Sequence, residues 1–219
     1  MLLVVGHVPT TTKGREAFQE IDYHSMFGTV AKAVLEPESA AQVAAVTARA
    51  LALATSGRPG PVVLVMPKDV TEGDAGDPHI PGPIPRAVSA PAPQAVEAAA
   101  RLIDRAERPM VIAGEMVTNE GAHSALARFA EASGAAVSAA YRRQDALPNA
   151  HPAYAGHLEI NRVAFQERAF QEADLVIAVG ARMDGITSLE FALVRPDQAF
   201  IHVFPDPDVV ARLSHTLAI

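Results

Sequence analysis

Two turns of the sequence carry residue types that bind phosphate groups in nucleotide-binding proteins. The first, Ala113-Gly114-Glu115-Met116-Val117-Thr118-Asn119-Glu120-Gly121, lies between a predicted strand and a predicted helix. A dinucleotide-binding turn needs the pattern G-x-G-x-x-G, which lets the backbone approach a pyrophosphate at the helix N-terminus. This turn lacks the second glycine, and Glu115 would direct a carboxylate towards the phosphates, so we interpret it as an ordinary strand-to-helix turn. The second turn, Gly180-Ala181-Arg182, is weak support for a ligand site when taken alone.

The other charged and imidazole groups do not form a pattern typical of a metal centre. The 8 histidines are dispersed, and no two lie four residues apart on one predicted helix. Asp206 and Asp208 flank Pro207 at a predicted helix start, where the helix dipole favours negative charge, so we interpret them as capping residues. Arg142 and Arg143 follow a predicted strand and would either meet an anionic ligand or be solvated. We therefore predict no metal site.

Apolar runs that alternate with amphipathic segments predict the elements of the first half. The run from Val62 to Met66 lies between two prolines and is typical of a parallel strand buried on both faces. A predicted helix from Pro37 to Gly57 precedes it, and a strand over 31–35 precedes that helix. These elements predict a partial βαβ unit, with a further strand at the start of the chain.

The second half repeats the alternation and predicts a parallel sheet covered by helices. Helices are predicted over 94–106, 119–133, 162–172 and 206–213, and strands over 110–113, 135–139, 175–179 and 200–204. Asn119 is the predicted N-cap and Gly134 the left-handed C-terminal residue of the second helix. The fold class is therefore α/β, a partial βαβ unit followed by a Rossmann-like doubly wound sheet. Residues 217–219 resemble the start of another strand, so we expect the chain to begin and end within domains.

A proline-rich segment divides the chain. Of the 17 prolines, seven lie between Pro67 and Pro93, and proline can propagate neither a helix nor a central strand. We expect an extended connection there. The predicted organisation is a first domain over 1–70, a linker over 71–93 and a second domain over 94–219.

Composition excludes several classes of function. With 49% apolar and 20% charged residues, the chain should be globular. A net charge of −7 without basic runs argues against a nucleic-acid partner. No apolar stretch is long enough for a membrane helix, so we expect no membrane partner. The chain has 0 cysteines, which excludes disulfides and thiolate zinc sites and fits a cytoplasmic location.

Five segments carry a resemblance to a known family. In the first half they are Gly14-Arg15-Glu16-Ala17-Phe18-Gln19-Glu20-Ile21-Asp22 and Ser56-Gly57-Arg58-Pro59-Gly60-Pro61-Val62-Val63-Leu64-Val65-Met66-Pro67-Lys68-Asp69-Val70. In the second half they are Glu107-Arg108-Pro109-Met110-Val111-Ile112-Ala113-Gly114, His151-Pro152-Ala153-Tyr154-Ala155-Gly156 and Glu172-Ala173-Asp174-Leu175-Val176-Ile177-Ala178-Val179-Gly180-Ala181-Arg182. They resemble thiamine-diphosphate-dependent enzymes of the acetolactate synthase, benzoylformate decarboxylase and pyruvate oxidase group. The first pair resembles the second half of the pyrimidine-binding domain, and the others resemble the central domain.

The resemblance implies a homodimer or tetramer that binds thiamine diphosphate and Mg²⁺ between subunits. In that family the glutamine of the A-F-Q-E segment approaches the thiazolium ring and the substrate, which implies that Gln19, with Phe18 beside it, binds the cofactor here. An amide can hydrogen-bond a carbonyl or enolate without adding charge. Lys68 matches a lysine near the substrate entrance, where a cation suits the carboxylate of a 2-oxo acid. The alternative is that Phe18 belongs to the core and that Gln19 and Lys68 are ordinary surface residues.

The family also uses groups that this sequence does not match. Its pyrimidine-activating glutamate is expected before Met1, so we assign no catalytic residue. Its G-D-G metal motif is expected beyond Ile219, because Gly73-Asp74-Ala75 does not match it. Ile186 stands where the synthases carry an arginine that holds the substrate carboxylate. Gly114-Glu115-Met116 replaces their glycine run, so FAD is an alternative that the sequence does not support.

Two functional hypotheses result. The first is a partial chain of a thiamine-diphosphate-dependent enzyme acting on 2-oxo acids, an acetolactate synthase-like carboligase or a decarboxylase, inactive as this chain alone. The second is a non-catalytic Rossmann-like module that binds a nucleotide or another subunit.

Overall fold

The chain folds into two compact units, Met1–Ser89 and Ala90–Ile219. The structure, a computed structural model, describes residues 1–82, 84–85, 90–161, 163–210 and 216–219. Within those residues, no helix is both long enough and apolar enough to cross a lipid bilayer.

The first unit is a three-stranded parallel sheet with helices at its connections. Its elements in chain order are β1 (Leu2–His7), α1 (Tyr23–Phe27), β2 (Ala33–Leu35), α2 (Val43–Thr55), β3 (Val62–Pro67) and α3 (Lys68–Glu72), with single 3₁₀ turns at Thr10–Thr12 and Ala40–Gln42.

Strand β3 is the centre of this sheet. It pairs with β1 on one side and β2 on the other, and the side chains from Val62 to Val65 are buried. Ala50 and Ala54 of α2 pack against Val62. The prediction of a strand buried on both faces is therefore confirmed. The predicted helix start at Pro37 is wrong, because a 3₁₀ turn intervenes and α2 begins at Val43.

The second unit is a six-stranded parallel sheet covered by helices. Its elements are α4 (Pro93–Ile103), β4 (Pro109–Ala113), α5 (Glu115–Asn119), α6 (His123–Ser133), β5 (Ala136–Ala139), β6 (Tyr154–His157), α7 (Ala164–Glu172), β7 (Leu175–Val179), β8 (Ala199–Val203), α8 (Pro207–Val210) and β9 (Thr216–Ala218).

The strand order of this sheet confirms the Rossmann-like prediction. The order is β6-β5-β4-β7-β8-β9, and all the ladders are parallel. The chain thus winds outwards from β4 to β6, returns to β7 and winds the other way, which puts the switch point between β4 and β7. Loops that follow these two strands meet at the carboxyl edge, where ligands of such folds bind.

The predicted start of the helix over 119–133 is wrong, because α6 begins at His123 and residue 119 belongs to the separate short helix α5. Asn119 ends α5 instead of capping a helix, and Gly121, at φ 64°, turns the chain towards α6, whose N-cap is Ala122. Gly134, at φ 66°, ends α6 in the left-handed conformation, as predicted. Arg162 and Leu213, at the ends of two other predicted helices, lie outside the described residues.

Two glycines let the loops after β4 and β7 cross in direct backbone contact. Gly114 donates its N–H to the Val179 carbonyl at 2.9 Å, and Met116 donates to the Gly180 carbonyl at 3.1 Å. A Cβ added at Gly114 would lie 2.2 Å from the Ala181 Cα, and one added at Gly180 would lie 2.6 Å from the Met116 Cβ. The close packing of the two loops thus explains why residue 114 is a glycine, without the need for a bound phosphate.

Gly180→Ala should destabilise the second unit far more than Gly121→Ala. Gly180 has φ 63° and Gly121 has φ 64°, but a Cβ added at Gly121 would meet nothing within 4 Å. The left-handed conformation alone should lower the free energy of unfolding by about 1 kcal/mol. The collision with Met116 raises that loss to roughly 3 kcal/mol in Gly180→Ala. Denaturant unfolding followed by circular dichroism measures both, and equal losses would contradict the crossing.

Candidate functional site

The carboxyl ends of β1 and β3 bring the predicted site segments to one edge of the first sheet. His7 at the end of β1 is paired with Pro67 at the end of β3, so the chain leaves both strands at the same edge. Lys68 follows Pro67 directly and begins α3. Beyond β1, the chain passes through the 3₁₀ turn at Thr10–Thr12 into the Gly14–Glu20 loop.

Asp69 ties these two exits together. Its carboxylate accepts hydrogen bonds from the Thr10 N–H at 2.9 Å and the Thr10 hydroxyl at 2.5 Å. The hydroxyl, followed by the N–H, holds the pKa of Asp69 below its ordinary value of 3.8. Because Asp69 is next to Lys68, the segment after β1 is anchored beside the predicted substrate residue.

Helix α1 returns the chain to the end of β1. The Tyr23 hydroxyl donates to the Gly6 carbonyl at 3.0 Å, and its ring meets the His7 ring edge-on at 5.1 Å. Asp22 caps α1 by accepting from the Ser25 N–H at 3.0 Å. Hydrogen bonds therefore fix the chain on both sides of the Gly14–Glu20 loop.

A carboxylate inside the Gly14–Glu20 loop closes it. Glu20 accepts from the Gly14 N–H at 2.5 Å and from the Ala17 N–H at 3.0 Å. These two bonds, with the one from Gly14 the larger influence, hold the pKa of Glu20 below its ordinary value of 4.5. The loop borders a cavity of about 490 Å³ that is lined by Gly14, Glu16, Ala17 and Glu20.

Phe18 and Gln19 lie on the outside of this loop. Phe18 is 88% exposed, which is far from the core position that the alternative interpretation required. Gln19 is also exposed and has φ 66°, in the left-handed region that is unusual for a residue with a side chain. An exposed aromatic ring beside an exposed amide can contact a flat, partly apolar ligand and hydrogen-bond its polar edge.

Lys68 lies at the same edge of the first sheet as the Gly14–Glu20 loop but is not part of that loop. Its side chain is 65% exposed, and its Nζ lies 3.9 Å from the Glu72 carboxylate one helical turn later. Among the described residues, no hydrogen bond or ion pair joins Lys68 to Phe18 or Gln19. A long surface pair of this kind contributes little stability, so the ammonium can pair with another anion at small cost.

The described residues include no group of three or more His, Asp or Glu side chains placed to hold a metal ion. Asp74, in the segment compared with the G-D-G motif, accepts from the Gly76 N–H at 2.8 Å and forms a local turn.

The carboxyl edge of the second sheet contains a feature that the sequence did not reveal. The Arg182 Nε is buried and has no hydrogen-bond partner among the described residues. The carbonyl oxygen of the neighbouring Ala181 lies within hydrogen-bond distance of the His202 Nε2 on β8, at 2.7 Å. Arg142 is one of the two arginines for which the sequence allowed either anion binding or solvation. Its guanidinium lies over the Tyr141 ring, 5.1 Å from the ring centroid. A buried donor without a partner is costly, and a guanidinium binds anions well, so Arg182 is a candidate anion-binding residue at this edge.

Unrelated proteins share the Rossmann-like fold, so the family of this chain is identified by its similarity to known families. A family model described as "Thiamine pyrophosphate enzyme, central domain" matches residues 96–219. The chain belongs to the thiamine pyrophosphate enzyme family. This finding confirms the resemblance that was stated from the sequence, thiamine pyrophosphate being another name for thiamine diphosphate.

Curated relatives match almost the whole chain, including the first unit. The chain is 30% identical over 220 residues to a probable acetolactate synthase large subunit of Methanocaldococcus jannaschii, covering 97% of this chain and 37% of the relative. It is 31% identical over 216 residues to the acetolactate synthase large subunit of Corynebacterium glutamicum, covering 97% of this chain and 34% of the relative. The chain thus spans about a third of the length of these relatives.

Asp69→Asn should lower the thermal unfolding midpoint at pH 7, because an amide binds the Thr10 donors more weakly than a carboxylate. The folded-state pKa of Asp69 is depressed, so its contribution is present above the ordinary value of 3.8 and is lost as pH falls through the folded-state value. The difference between wild type and variant should therefore shrink below about pH 4. Circular dichroism melts from pH 7 to pH 2 measure it. The exposed Asp77→Asn is the control, and a difference that stays constant with pH would contradict this account.

Proposed function

We propose that this chain is part of a thiamine-diphosphate-dependent enzyme that acts on a 2-oxo acid, as a carboligase or a decarboxylase. The observation that carries the proposal is the anchored Gly14–Glu20 loop, which exposes Phe18 and Gln19 in a chain of this family. Under this proposal, residues 1–70 are the second half of a pyrimidine-binding domain, 71–93 a linker and 94–219 the central domain.

Phe18 and Gln19 are the residues proposed to face the cofactor. When bound, thiamine diphosphate supplies a nucleophilic carbon that adds to the carbonyl of a 2-oxo acid. The Phe18 ring would cover the reacting groups on one side and exclude water from them. The Gln19 amide would donate a hydrogen bond to the substrate carbonyl oxygen, whose negative charge increases as the nucleophile adds. As a neutral donor, it would do so without placing a full charge beside the reacting carbon.

Lys68 is proposed to bind the substrate carboxylate. Among the described residues, its exposed ammonium forms an ion pair only with Glu72, at 3.9 Å, so it is available to an incoming anion. Ile186 stands where the synthases carry an arginine for that carboxylate, and isoleucine cannot form an ion pair. The proposal therefore covers a decarboxylase as well as an acetolactate synthase-like carboligase.

The proposal places other necessary groups outside these residues. The pyrimidine-activating glutamate and the Mg²⁺-binding motif have no match in the sequence, and the described residues hold no metal cluster. We therefore expect the 219-residue chain alone to show no turnover when thiamine diphosphate and Mg²⁺ are added. The complete enzyme would be a cytoplasmic homo-oligomer, dimeric or tetrameric.

Gln19→Ala should reduce turnover in the protein as its own cell makes it. Loss of one donor to a developing oxyanion costs roughly 10²-fold in kcat. Consumption of a panel of 2-oxo acids, with thiamine diphosphate and Mg²⁺ present, measures the effect. Gln94→Ala, an exposed glutamine at the start of α4, is the matched control and should leave the rate unchanged. Full activity of Gln19→Ala would refute its proposed role.

A second candidate function rests on the buried Arg182 Nε. An adenine nucleotide or FAD at the carboxyl edge of the second sheet would give this donor an acceptor. The close crossing of Gly114 and Gly180 argues against it, because the backbone fills the place where a pyrophosphate approaches in dinucleotide-binding proteins.

The second candidate predicts measurable nucleotide binding by the 219-residue chain. Calorimetric titration with FAD and ADP should then give a micromolar Kd that weakens at least about 10-fold in Arg182→Met, because a charge-assisted hydrogen bond is lost. Arg128→Met, on the exposed face of α6, should bind as wild type does. Absence of binding by the wild-type chain would exclude this candidate for the chain tested.

A further inference from the structure

The Gly14–Glu20 loop has an unfavourable backbone. Gly14 has φ 73°, which costs glycine little, but Glu16 at 55° and Gln19 at 66° place residues with side chains in the left-handed region. Such conformations persist only where the surrounding contacts impose them. Something in the loop must therefore hold it against relaxation.

The Glu20 carboxylate makes two hydrogen bonds across the loop. One of its oxygens accepts from the Gly14 N–H and the other from the Ala17 N–H, so both ends of the turn before Phe18 are fixed to one side chain. Charge-assisted hydrogen bonds of this kind are stronger than bonds between neutral groups. The residues that Glu20 binds precede Phe18 in the chain, and Glu20 itself follows Gln19. The two hydrogen bonds therefore connect the segments on either side of Phe18 and Gln19.

We propose that Glu20 is a positioning residue, whose carboxylate holds the loop in the conformation that turns Phe18 and Gln19 outwards. This inference rests on the proposed function for its consequence in catalysis, but its structural part can be measured independently. Glu20 would not contact the substrate, since its two oxygens are engaged inside the loop.

The charged state of Glu20 matters for this role. The groups near it are His7, which would lower the pKa of the carboxyl when protonated, the backbone of Arg15, which also lowers that pKa, and Glu16 on the same cavity wall. Backbone bonds from Gly14 and then Ala17 lower its pKa below 4.5, so the loop is held at neutral pH and released as pH falls through the folded-state pKa. The matched exposed carboxylate is Glu16, which shares the cavity but does not bind the loop amides.

The first measurement is hydrogen exchange in the 219-residue chain. In Glu20→Gln only the amide oxygen can still accept, so we expect the protection of the Gly14 and Ala17 N–H groups to fall at least 10-fold. Glu20→Asp keeps the charge but has a shorter side chain, and should retain part of the protection. Glu16→Gln should leave it unchanged. Unchanged protection in Glu20→Gln would overturn the proposal.

The second measurement compares kcat and KM in the protein as its own cell makes it. We expect Glu20→Gln to lower kcat about 10-fold with little change in KM, because Gln19 is displaced while Lys68 still binds the carboxylate. Partial recovery in Glu20→Asp would support positioning. Full activity of Glu20→Gln, with Gln19→Ala impaired, would overturn the positioning role alone. Full activity of both variants would overturn the proposed function and the positioning role together.

Discussion

Carboxylates that accept hydrogen bonds from backbone N–H groups hold the loops on which both units depend. Glu20 closes the Gly14–Glu20 loop, and Asp69 joins the exits of β1 and β3 through Thr10. In the second unit, Asp174 just before β7 accepts from the Glu107 N–H at 2.6 Å and the Arg108 N–H at 2.9 Å just before β4. Burial raises the pKa of Asp174, but these bonds outweigh it and the net shift is downwards. Loops that have no hydrophobic core of their own are thus fixed by ionised side chains.

This arrangement suits a parallel sheet. Parallel strands deliver their following loops to one edge, but they do not by themselves connect neighbouring loops. In the first unit the carboxylate of Asp69 and the Tyr23 hydroxyl make those connections. In the second unit the corresponding connection is the backbone crossing of Gly114 and Gly180. The two units therefore solve the same geometric problem with different chemistry, polar side chains in one and bare backbone in the other.

Much of the architecture could be predicted from sequence because it depends on apolar periodicity. The run from Val62 to Met66 and the alternation of helices and strands follow from that pattern, and the structure confirms them. The helix end at Gly134 was predicted from the preference of glycine for the left-handed conformation, and it is also confirmed. Strand β6 was missed because Tyr154–His157 is short and contains a glycine. The break at Gly121 was missed because Asn119 was interpreted as the N-cap of the following helix, whereas it is the last residue of α5. Family resemblance identified Phe18 and Gln19, but the role of Glu20 depends on hydrogen bonds to the backbone, which have no sequence period.

The crossing at Gly114 and Gly180 has a consequence for how proteins with this sheet can diversify. Neither glycine can gain a side chain without displacing the other loop, so both positions must remain invariant for the sheet edge to keep its shape. The neighbouring positions hold Glu115 and Arg182, so the two loops already accommodate side chains there. Natural variation could therefore change the charge and size of the groups at this edge while the strand order stays constant, which is a route by which one scaffold acquires, loses or exchanges a ligand.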